Sequence, residues 1–170
     1  MVTEAIVLTL FPAVMAFAAS SDLLTMTIAN RVSLILVGGF VLLAVMTGMS
    51  PTDMAWHFAA GGAMLVLTFV MFSCGWVGGG DAKLAAATAL WLGFAHLFDY
   101  LIYASILGGA LTLALIQFRM LPLPAPLARR EWIERLHRRG GGVPYGIALA
   151  AAALIVYPHT EWMAALVARF

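Results

Sequence analysis

The sequence is poor in charge and almost free of cysteine. Only 10% of its 170 residues are charged, whereas 64% are hydrophobic and the mean hydropathy is +1.00. A chain of 18.1 kDa cannot bury that much apolar surface in a soluble core, because small domains leave much of their chain at the surface. The composition excludes a soluble enzyme and a disordered chain, and a net charge of +1 is too small to hold a nucleic acid. We therefore expect an integral membrane protein.

Other absences narrow the possibilities further. The one cysteine, Cys74, excludes an internal disulfide and a zinc site built from several cysteines. The four histidines are too scattered to form a metal cluster by spacing, so we expect neither a metal nor a cofactor. No Lys or Arg precedes Arg31, whereas a cleavable signal peptide normally begins with positive charge. The first apolar stretch is therefore expected to be a retained membrane helix.

Polar residues, prolines and glycines divide the chain into six apolar stretches, each a candidate membrane span. The stretches cover about residues 5–20, 32–47, 54–72, 82–94, 100–118 and 143–167. The fourth is short, since its roughly 13 apolar residues reach only about 20 Å as a helix. Pro158 is expected to kink or end the sixth. The predicted fold is all-α and polytopic, a single membrane-embedded domain over residues 1–170 built as a six-helix bundle.

The basic residues predict the orientation of these spans. Alternation places eight of the nine on one side of the membrane, and only Arg169 on the other. The eight are Arg31, Lys83, Arg119, Arg129, Arg130, Arg135, Arg138 and Arg139. Because basic loops favour the cytoplasmic side, both termini are predicted to lie outside. The basic loop of about residues 119–142 is predicted to be cytoplasmic, either as an interfacial helix on anionic lipid or as a solvated charge cluster.

Two acidic residues remain that topology does not explain. Asp22 ends the first predicted span and Asp81 opens the fourth, so alternation puts both at the inner boundary of the membrane. Two carboxyl groups that converge in a partly dry site repel, so that one keeps its proton. An acid and a base with water between them are what aspartyl-protease hydrolysis requires. The structural alternative is that Asp81 N-caps its helix and Asp22 is an interfacial polar residue.

Three glycines, Gly78, Gly79 and Gly80, lead directly into Asp81. They permit a close backbone approach that side chains would block, so a substrate strand has room to lie against this loop beside the carboxylate. Turns between spans often contain glycine, and a glycine run alone is a weak signal. Glycines followed by an Asp at the start of a membrane helix are more specific.

Three segments carry a resemblance to a known family. Residues 78–81 fit the GxGD motif of intramembrane aspartyl proteases, and the continuation Asp-Ala-Lys-Leu resembles the type IV prepilin peptidases. Residues 21–30, Ser-Asp through Ile-Ala-Asn, resemble the family's motif around its first aspartate. Residues 143–148, Val-Pro-Tyr-Gly-Ile-Ala, match the motif that opens its last helix. The motifs occur in the family's order over most of the chain.

The resemblance implies a function. Members of this family are aspartyl endopeptidases of the bacterial inner membrane, and they cleave a short prepilin leader after a Gly at the cytoplasmic face. The leader precedes a hydrophobic helix with an early Glu. Asp22 and Asp81 are the implied catalytic pair, and the implied partners are the prepilin and membrane lipid. From the helix dipole we expect Asp81, at a helix N-terminus, to be the base and Asp22, at a helix C-terminus, to be the acid. A coupled pair titrates as a unit, so the inverted assignment stays open.

Departures from the family pattern point to a subtype. Ala29 replaces the usual Pro, and the basic residues common between Asp22 and Asn30 are absent. Larger members carry a four-cysteine zinc domain, which a chain with one cysteine lacks. The chain resembles the short form that serves tight-adherence (Flp-type) pili, and the resemblance does not extend to N-methyltransferase activity. The pilin recognised and the oligomeric state are not indicated.

Four further residues are candidates for supporting the site. Lys83 is placed to meet the pilin Glu or developing charge, although snorkelling to the headgroups explains it as well. Asn30 is either a supporting residue or a helix cap, and Pro144 either supports the site or starts the last helix. Tyr145 either donates a hydrogen bond near the site or belongs to the aromatic belt.

Two other function classes compete with the peptidase. A small proton-coupled transporter would use Asp22 and Asp81 as relay groups, but transporters carry such groups near the midplane. An assembly subunit without activity would tolerate replacement of both aspartates. The pair at one face of the membrane favours the peptidase.

Overall fold

A computed structural model of the protein describes the backbone of residues 2–167 and the side chains of residues 3–164. Arg169, the one basic residue assigned to the outer side, lies outside the described residues. The helices are α1 (Val2–Thr25), α2 (Asn30–Thr47), α3 (Pro51–Ser73), α4 (Gly79–Met120), α5 (Ala125–Ala128), α6 (Glu131–His137), α7 (Tyr145–Val156) and α8 (Glu161–Val167), with a 3₁₀ turn at Tyr157–His159. The predicted all-α class is confirmed for the described chain.

Four helices are long and apolar enough to cross a membrane. They are Thr3–Thr25, Asn30–Thr47, Pro51–Ser73 and Gly79–Met120, and Tyr145–His159 is a shorter apolar segment. The first three coincide with predicted spans, whereas the predicted fourth and fifth spans both fall within α4. The sixth predicted span is interrupted near Pro158, as expected: α7 ends at Val156, and the proline lies in the 3₁₀ turn that follows. The protein is therefore a multi-pass membrane protein.

Turn residues set the helix ends between α2 and α3. Gly48 closes α2 in the left-handed conformation, with φ 71°, which glycine adopts without a Cβ clash. Ser50 N-caps α3 by accepting from the Asp53 N–H at 3.1 Å, and Pro51 occupies the first helical position. The tight turn reverses the direction of the chain between α2 and α3, and each of these helices packs on α4.

Gly93 breaks α4 into two arms, residues 79–92 and 94–120. Its backbone is non-helical, with φ 65° and ψ 179°, a conformation suited to glycine. A straight helix of 42 residues would span about 63 Å, twice the hydrocarbon thickness. Instead the chain turns back. Gly80, in the first arm, packs on Ile28, and Arg119, in the second arm, donates to the Gly142 carbonyl near Met26. The far ends of the two arms therefore lie at the same end of the bundle. The short fourth and the fifth predicted spans correspond to these two arms.

Side chains satisfy the carbonyls that the break leaves without helical partners. The His57 ring pairs through Nδ1 with the Leu90 carbonyl at 2.7 Å, and the Trp162 indole N–H donates to the Trp91 carbonyl at 3.0 Å. Trp91 itself donates to the Leu36 carbonyl at 2.8 Å. Trp91 and Trp162 belong to a buried aromatic cluster, the aromatic layer, which comprises Phe11, Phe40, Trp91, Tyr157 and Trp162. It closes the end of the bundle at which α4 turns.

Trp162→Phe tests this arrangement. The ring contacts are kept, but the Trp91 carbonyl loses its donor in a buried setting, so we expect the free energy of unfolding to fall by about 1–3 kcal/mol. Trp56→Phe is the control, because Trp56 is 62% exposed, and we expect it to change stability by less than about 0.5 kcal/mol. Unfolding of both variants in detergent by denaturant titration gives the comparison. Equal stability of the two would contradict this account of the break.

Candidate active site

Asp22 lies inside α1, one turn before the helix ends at Thr25. The sequence predicts that Asp22 ends the first helix, but α1 continues through the polar Ser-Ser-Asp segment and ends about one turn later. Its side chain is 4% exposed, and Oδ2 accepts a hydrogen bond from the Gly146 N–H at 2.7 Å. Gly146 is the second residue of α7, so the carboxyl group of α1 sits at the N-terminus of another helix.

Asp81 is the third residue of α4, which begins at Gly79 rather than after Asp81 as predicted. Gly78 is the N-cap residue, so the proposal that Asp81 N-caps the helix is wrong. The Gly78 N–H donates to the Asp81 carboxylate, as in one half of a capping box. The side chain is partly exposed, in contrast to the buried Asp22.

Two glycines allow α4 to begin this early and this close to its neighbours. A Cβ at Gly80 would lie 3.2 Å from the Ile28 Cβ and 3.3 Å from the Ile28 carbonyl oxygen. A Cβ at Gly79 would touch the Phe72 ring at 3.4 Å. Both glycines are therefore packed against protein, which differs from the expectation that the loop is open to a substrate strand.

Ile28 also packs against Gly146, and so it joins the two halves of the site. A Cβ at Gly146 would lie 2.6 Å from the Ile28 Cδ1 and 2.8 Å from the Asp22 Oδ2. Asp22 and Asp81 thus lie at the same end of the bundle, near enough for their carboxyl groups to interact electrostatically. In the part of the chain that the structure describes, neither carboxylate forms an ion pair with a basic side chain.

The segment between Asp22 and Asn30 turns sharply to place Ile28. Met26 has φ 57°, a left-handed conformation that is uncommon for a residue with a side chain. Hydroxyl groups hold the turn, since the Ser21 Oγ donates to the Thr27 carbonyl at 3.0 Å and the Thr25 Oγ1 contacts the Thr27 Oγ1 at 2.7 Å. Among the residues that replace the family's basic residues, those at 23–25 therefore complete α1, whereas Met26 and Thr27 form a hydrogen-bonded turn.

Of the four supporting candidates, Lys83 and Asn30 contact each other, whereas Pro144 and Tyr145 lie at the start of α7. The Lys83 ammonium donates to the Asn30 Oδ1 at 2.8 Å, which joins the start of α2 to the first arm of α4. Tyr145 points away from the aspartates, since its hydroxyl contacts the Thr112 Oγ1 at 3.1 Å and its ring covers Gly108. Asn30 is the first residue of α2, after the N-cap Ala29, and Pro144 is the N-cap of α7 rather than its first residue.

The basic loop packs on the same end of the bundle as the aspartates. Arg135, in α6, donates to the Leu24 carbonyl at 2.9 Å, two residues after Asp22. Arg119 donates to the Leu136 carbonyl at 2.8 Å and to the Gly142 carbonyl at 2.6 Å. The loop therefore contains a short helix held to the ends of α1 and α4 by arginine hydrogen bonds.

Sequence reasoning missed Gly146, Ile28 and Arg135 as site residues. Gly146 belongs to the third family motif, which was the available signal for it. Ile28 belongs to the first family motif, which was its available signal. Arg135 contacts Leu24 across 111 residues, a separation for which periodicity holds no signal. Cys74 is exposed, and no group of three or more metal-ligating side chains occurs among the described residues.

Comparison with known families identifies the chain. Residues 9–113 match the model of the type IV leader peptidase family, a stretch that includes Asp22, Asn30, Asp81 and Lys83 but ends before Gly146. No curated protein and no solved structure matches the chain. Members of this family are aspartic peptidases that act on prepilins in the inner membrane. With a family match over more than half of its length, the protein belongs to the type IV leader peptidase family and is an aspartic prepilin peptidase.

Proposed function

We propose that Asp22 and Asp81 are the catalytic pair of this peptidase. The observation that carries the proposal is the convergence of the two carboxyl groups, 59 residues apart in sequence, at one end of the bundle. Each accepts one backbone N–H, from Gly146 and from Gly78, and each keeps acceptor capacity for water. Two carboxyl groups without a basic partner are the arrangement that activates water in aspartyl proteases.

The proposed hydrolysis uses the pair as one acid and one base. The ionised carboxylate takes a proton from water while the water oxygen bonds to the scissile carbonyl carbon. The protonated carboxyl group gives its proton to the carbonyl oxygen, so that a neutral gem-diol forms. The amide nitrogen then takes a proton from the carboxyl group that accepted one from water, and the C–N bond breaks. As the new carboxyl group of the product forms, one gem-diol hydroxyl returns its proton to the other carboxylate of the pair. The pair returns to its starting state with one proton.

Both carboxyl groups lie at the N-terminus of a helix in the structure. Asp81 lies in the first turn of α4, as expected, but the Asp22 carboxyl group contacts the first turn of α7. Both groups therefore meet the end of a helix that favours an anion. We propose that the pair shares one proton as a unit, so that neither residue has a fixed role as acid or base.

The glycines and the supporting residues are proposed to position this pair. Gly79 and Gly80 let α4 approach Phe72 and Ile28, and this close packing fixes the position of Asp81 relative to α1. Gly78 supplies the N–H that orients its carboxylate. The proposed part of Lys83 is to hold Asn30 and to add positive charge beside the site. Pro144 starts α7 so that Gly146 reaches Asp22, and Tyr145 fixes α7 to the second arm of α4.

We further propose one membrane-embedded domain over residues 1–170 with six crossings and both termini outside. In this topology the two arms of α4 are the fourth and fifth crossings, and α7 with α8 is the sixth. Arg119 and Arg135 hold the basic loop at the end that carries Asp22, which favours a cytoplasmic site under the positive-inside rule.

The proposed substrate is a Flp-type prepilin, cleaved after a Gly at the cytoplasmic face. This part rests on the stretch between the first and third family motifs, which contains one cysteine, Cys74, and no four-cysteine insertion. The proposed partners are this precursor and membrane lipid.

Asp22→Asn and Asp81→Asn test the catalytic pair. Asn keeps an oxygen acceptor for the Gly146 or Gly78 N–H, so both variants are expected to fold and insert. Each is expected to lower cleavage by about 1,000-fold or more, since acid–base chemistry contributes up to about 10⁴-fold. The measurement is coexpression with a Flp-type prepilin, with a long type IV prepilin as a second substrate, and the leader is followed by gel shift.

Asp99→Asn is the matched control, because Asp99 is an exposed carboxylate in the second arm of α4. It is expected to cleave at the wild-type rate. Cleavage retained by either active-site variant would refute the two-aspartate mechanism. Equal processing of both precursors by the wild type would refute the proposed Flp-type preference.

Gly146→Ala tests the contact between α7 and Asp22. The new Cβ would lie 2.8 Å from the Asp22 Oδ2, so the carboxyl group must move out of its hydrogen bond. We expect kcat to fall at least about 10-fold, since small displacements of catalytic groups have costs of that size. Gly109→Ala is the control, because a Cβ there meets open space, and an unchanged kcat for Gly146→Ala would show that the contact is dispensable.

Labelling from outside tests the six crossings. In a Cys74→Ser background, single cysteines at Thr52 and Phe98 are expected to react with a membrane-impermeant maleimide applied to whole spheroplasts. A cysteine at Ala128 is expected to react only after lysis. All three positions are exposed in the structure. Protection of Phe98→Cys in intact spheroplasts would mean that α4 does not turn at the outer surface.

A further inference from the structure

A groove with a volume of about 550 Å³ lies between α2 and α3, with the first arm of α4 in contact with both. We call it the helix groove. Each helix lines it with four residues at positions i, i+3, i+4 and i+7, starting at Asn30, Phe58 and Lys83. Each lining stripe follows one helical face over about 10 Å, or two helical turns.

The helix groove opens at the end of the bundle that carries Asp81. Asn30 and Lys83 form its mouth, and Lys83 lies two residues after Asp81 in the same helix. At the other end the rings of Phe40 and Phe58 pack edge to face with their centroids 5.7 Å apart, so side chains of α2 and α3 close the groove there. An occupant therefore enters from the side of the membrane on which the aspartates lie.

The groove has a floor of small residues and a rim of large ones. Gly61, Ala86 and Ala87 are buried, whereas Leu34 and Leu65 at the rim are 69% and 47% exposed. A Cβ at Gly62 would meet nothing within 4 Å. Small residues at this spacing allow the backbone of another membrane helix to approach closely, which an acyl chain does not need.

The mouth of the groove carries positive charge and the wall an unpaired hydroxyl. The Lys83 ammonium has three donors, and its partner is the Asn30 amide oxygen; within the described ranges it forms no ion pair. The Ser33 Oγ, on the α2 wall, is buried without a hydrogen-bond partner in the described part of the chain. An acidic side chain in the first turn of a helix would complement this mouth.

We propose that the helix groove holds the first two turns of the precursor's hydrophobic helix, with an acidic side chain of that helix beside Lys83. This inference rests on the proposed function. The N-terminus of a precursor helix held there lies beside Lys83, which is two residues after Asp81. The extended segment of the precursor that precedes this helix therefore reaches the two carboxyl groups. The groove thus sets the distance between the membrane helix and the bond that is cleaved.

Cross-linking tests the proposal. Gly62→Cys is made in a Cys74→Ser, Asp81→Asn background, so that bound precursor is not consumed. Precursors with single cysteines along the first two helical turns are coexpressed and oxidised with copper phenanthroline. A disulfide to Gly62→Cys is expected for cysteines on one face of the precursor helix, and none is expected with Gly109→Cys, an open glycine of the second arm of α4.

The outcomes separate this inference from the proposed function. If wild-type protein cleaves the precursor but Gly62→Cys forms no disulfide with it, the groove assignment is wrong and the catalytic pair stands. If no cross-link forms and the groove instead binds phospholipid that Gly62→Leu displaces, the groove is a lipid site and the inference is overturned. A precursor that the wild type never cleaves refutes the proposed function whatever the cross-link shows.

A filling variant gives an independent readout. A Cβ at Gly62 meets nothing within 4 Å, so Gly62→Leu is expected to fill the groove with the fold retained. KM for the precursor is then expected to rise at least about 10-fold, with kcat changed less. Gly109→Leu is expected to change neither constant. Equal KM values for the two variants would refute the proposal.

Discussion

The hydrogen bond from the Gly146 N–H to the Asp22 carboxyl group joins the first and last parts of the bundle. It links residues 124 apart, and it forms only because position 146 has no Cβ. Ile28 fills the space beside it and also contacts Gly80, so α1, α4 and α7 meet at this point. The position of Asp22 relative to Asp81 therefore depends on one backbone donor and on two glycines that let α4 and α7 approach Ile28.

Every backbone N–H and C=O group within a membrane needs a hydrogen-bond partner inside the protein, and this also applies at the Gly93 break in α4. A turn within the bundle exposes carbonyls, and here His57 from α3 and Trp162 from α8 provide the donors. Helices outside α4 thus stabilise its turn, and the first arm can remain a short, buried segment. Its small residues then serve two purposes, because they pack on α3 and leave the helix groove beside α2.

Much of this arrangement could be predicted from the sequence. Apolar runs bounded by Gly48, Pro51 and Pro158 predict the helices, and the distribution of basic residues predicts that one end of the bundle differs from the other. The aspartates followed from their unexplained positions and from the family motifs. The extent of α1 beyond Asp22, the start of α4 at Gly79 and the contact with Gly146 could not be predicted, because they depend on tertiary packing between distant residues.

The aromatic layer separates the aspartates from the opposite end of the bundle. A cavity of about 590 Å³ at that end is lined by Trp91 and Trp162. Leu84 and Thr88 are fully buried between Asp81 and Trp91 along α4, and Met15 is buried beside Thr88. In the proposed mechanism, protons therefore reach the two carboxyl groups from one end of the bundle, so a membrane enzyme built on such a pair does not short-circuit the proton gradient across its own membrane.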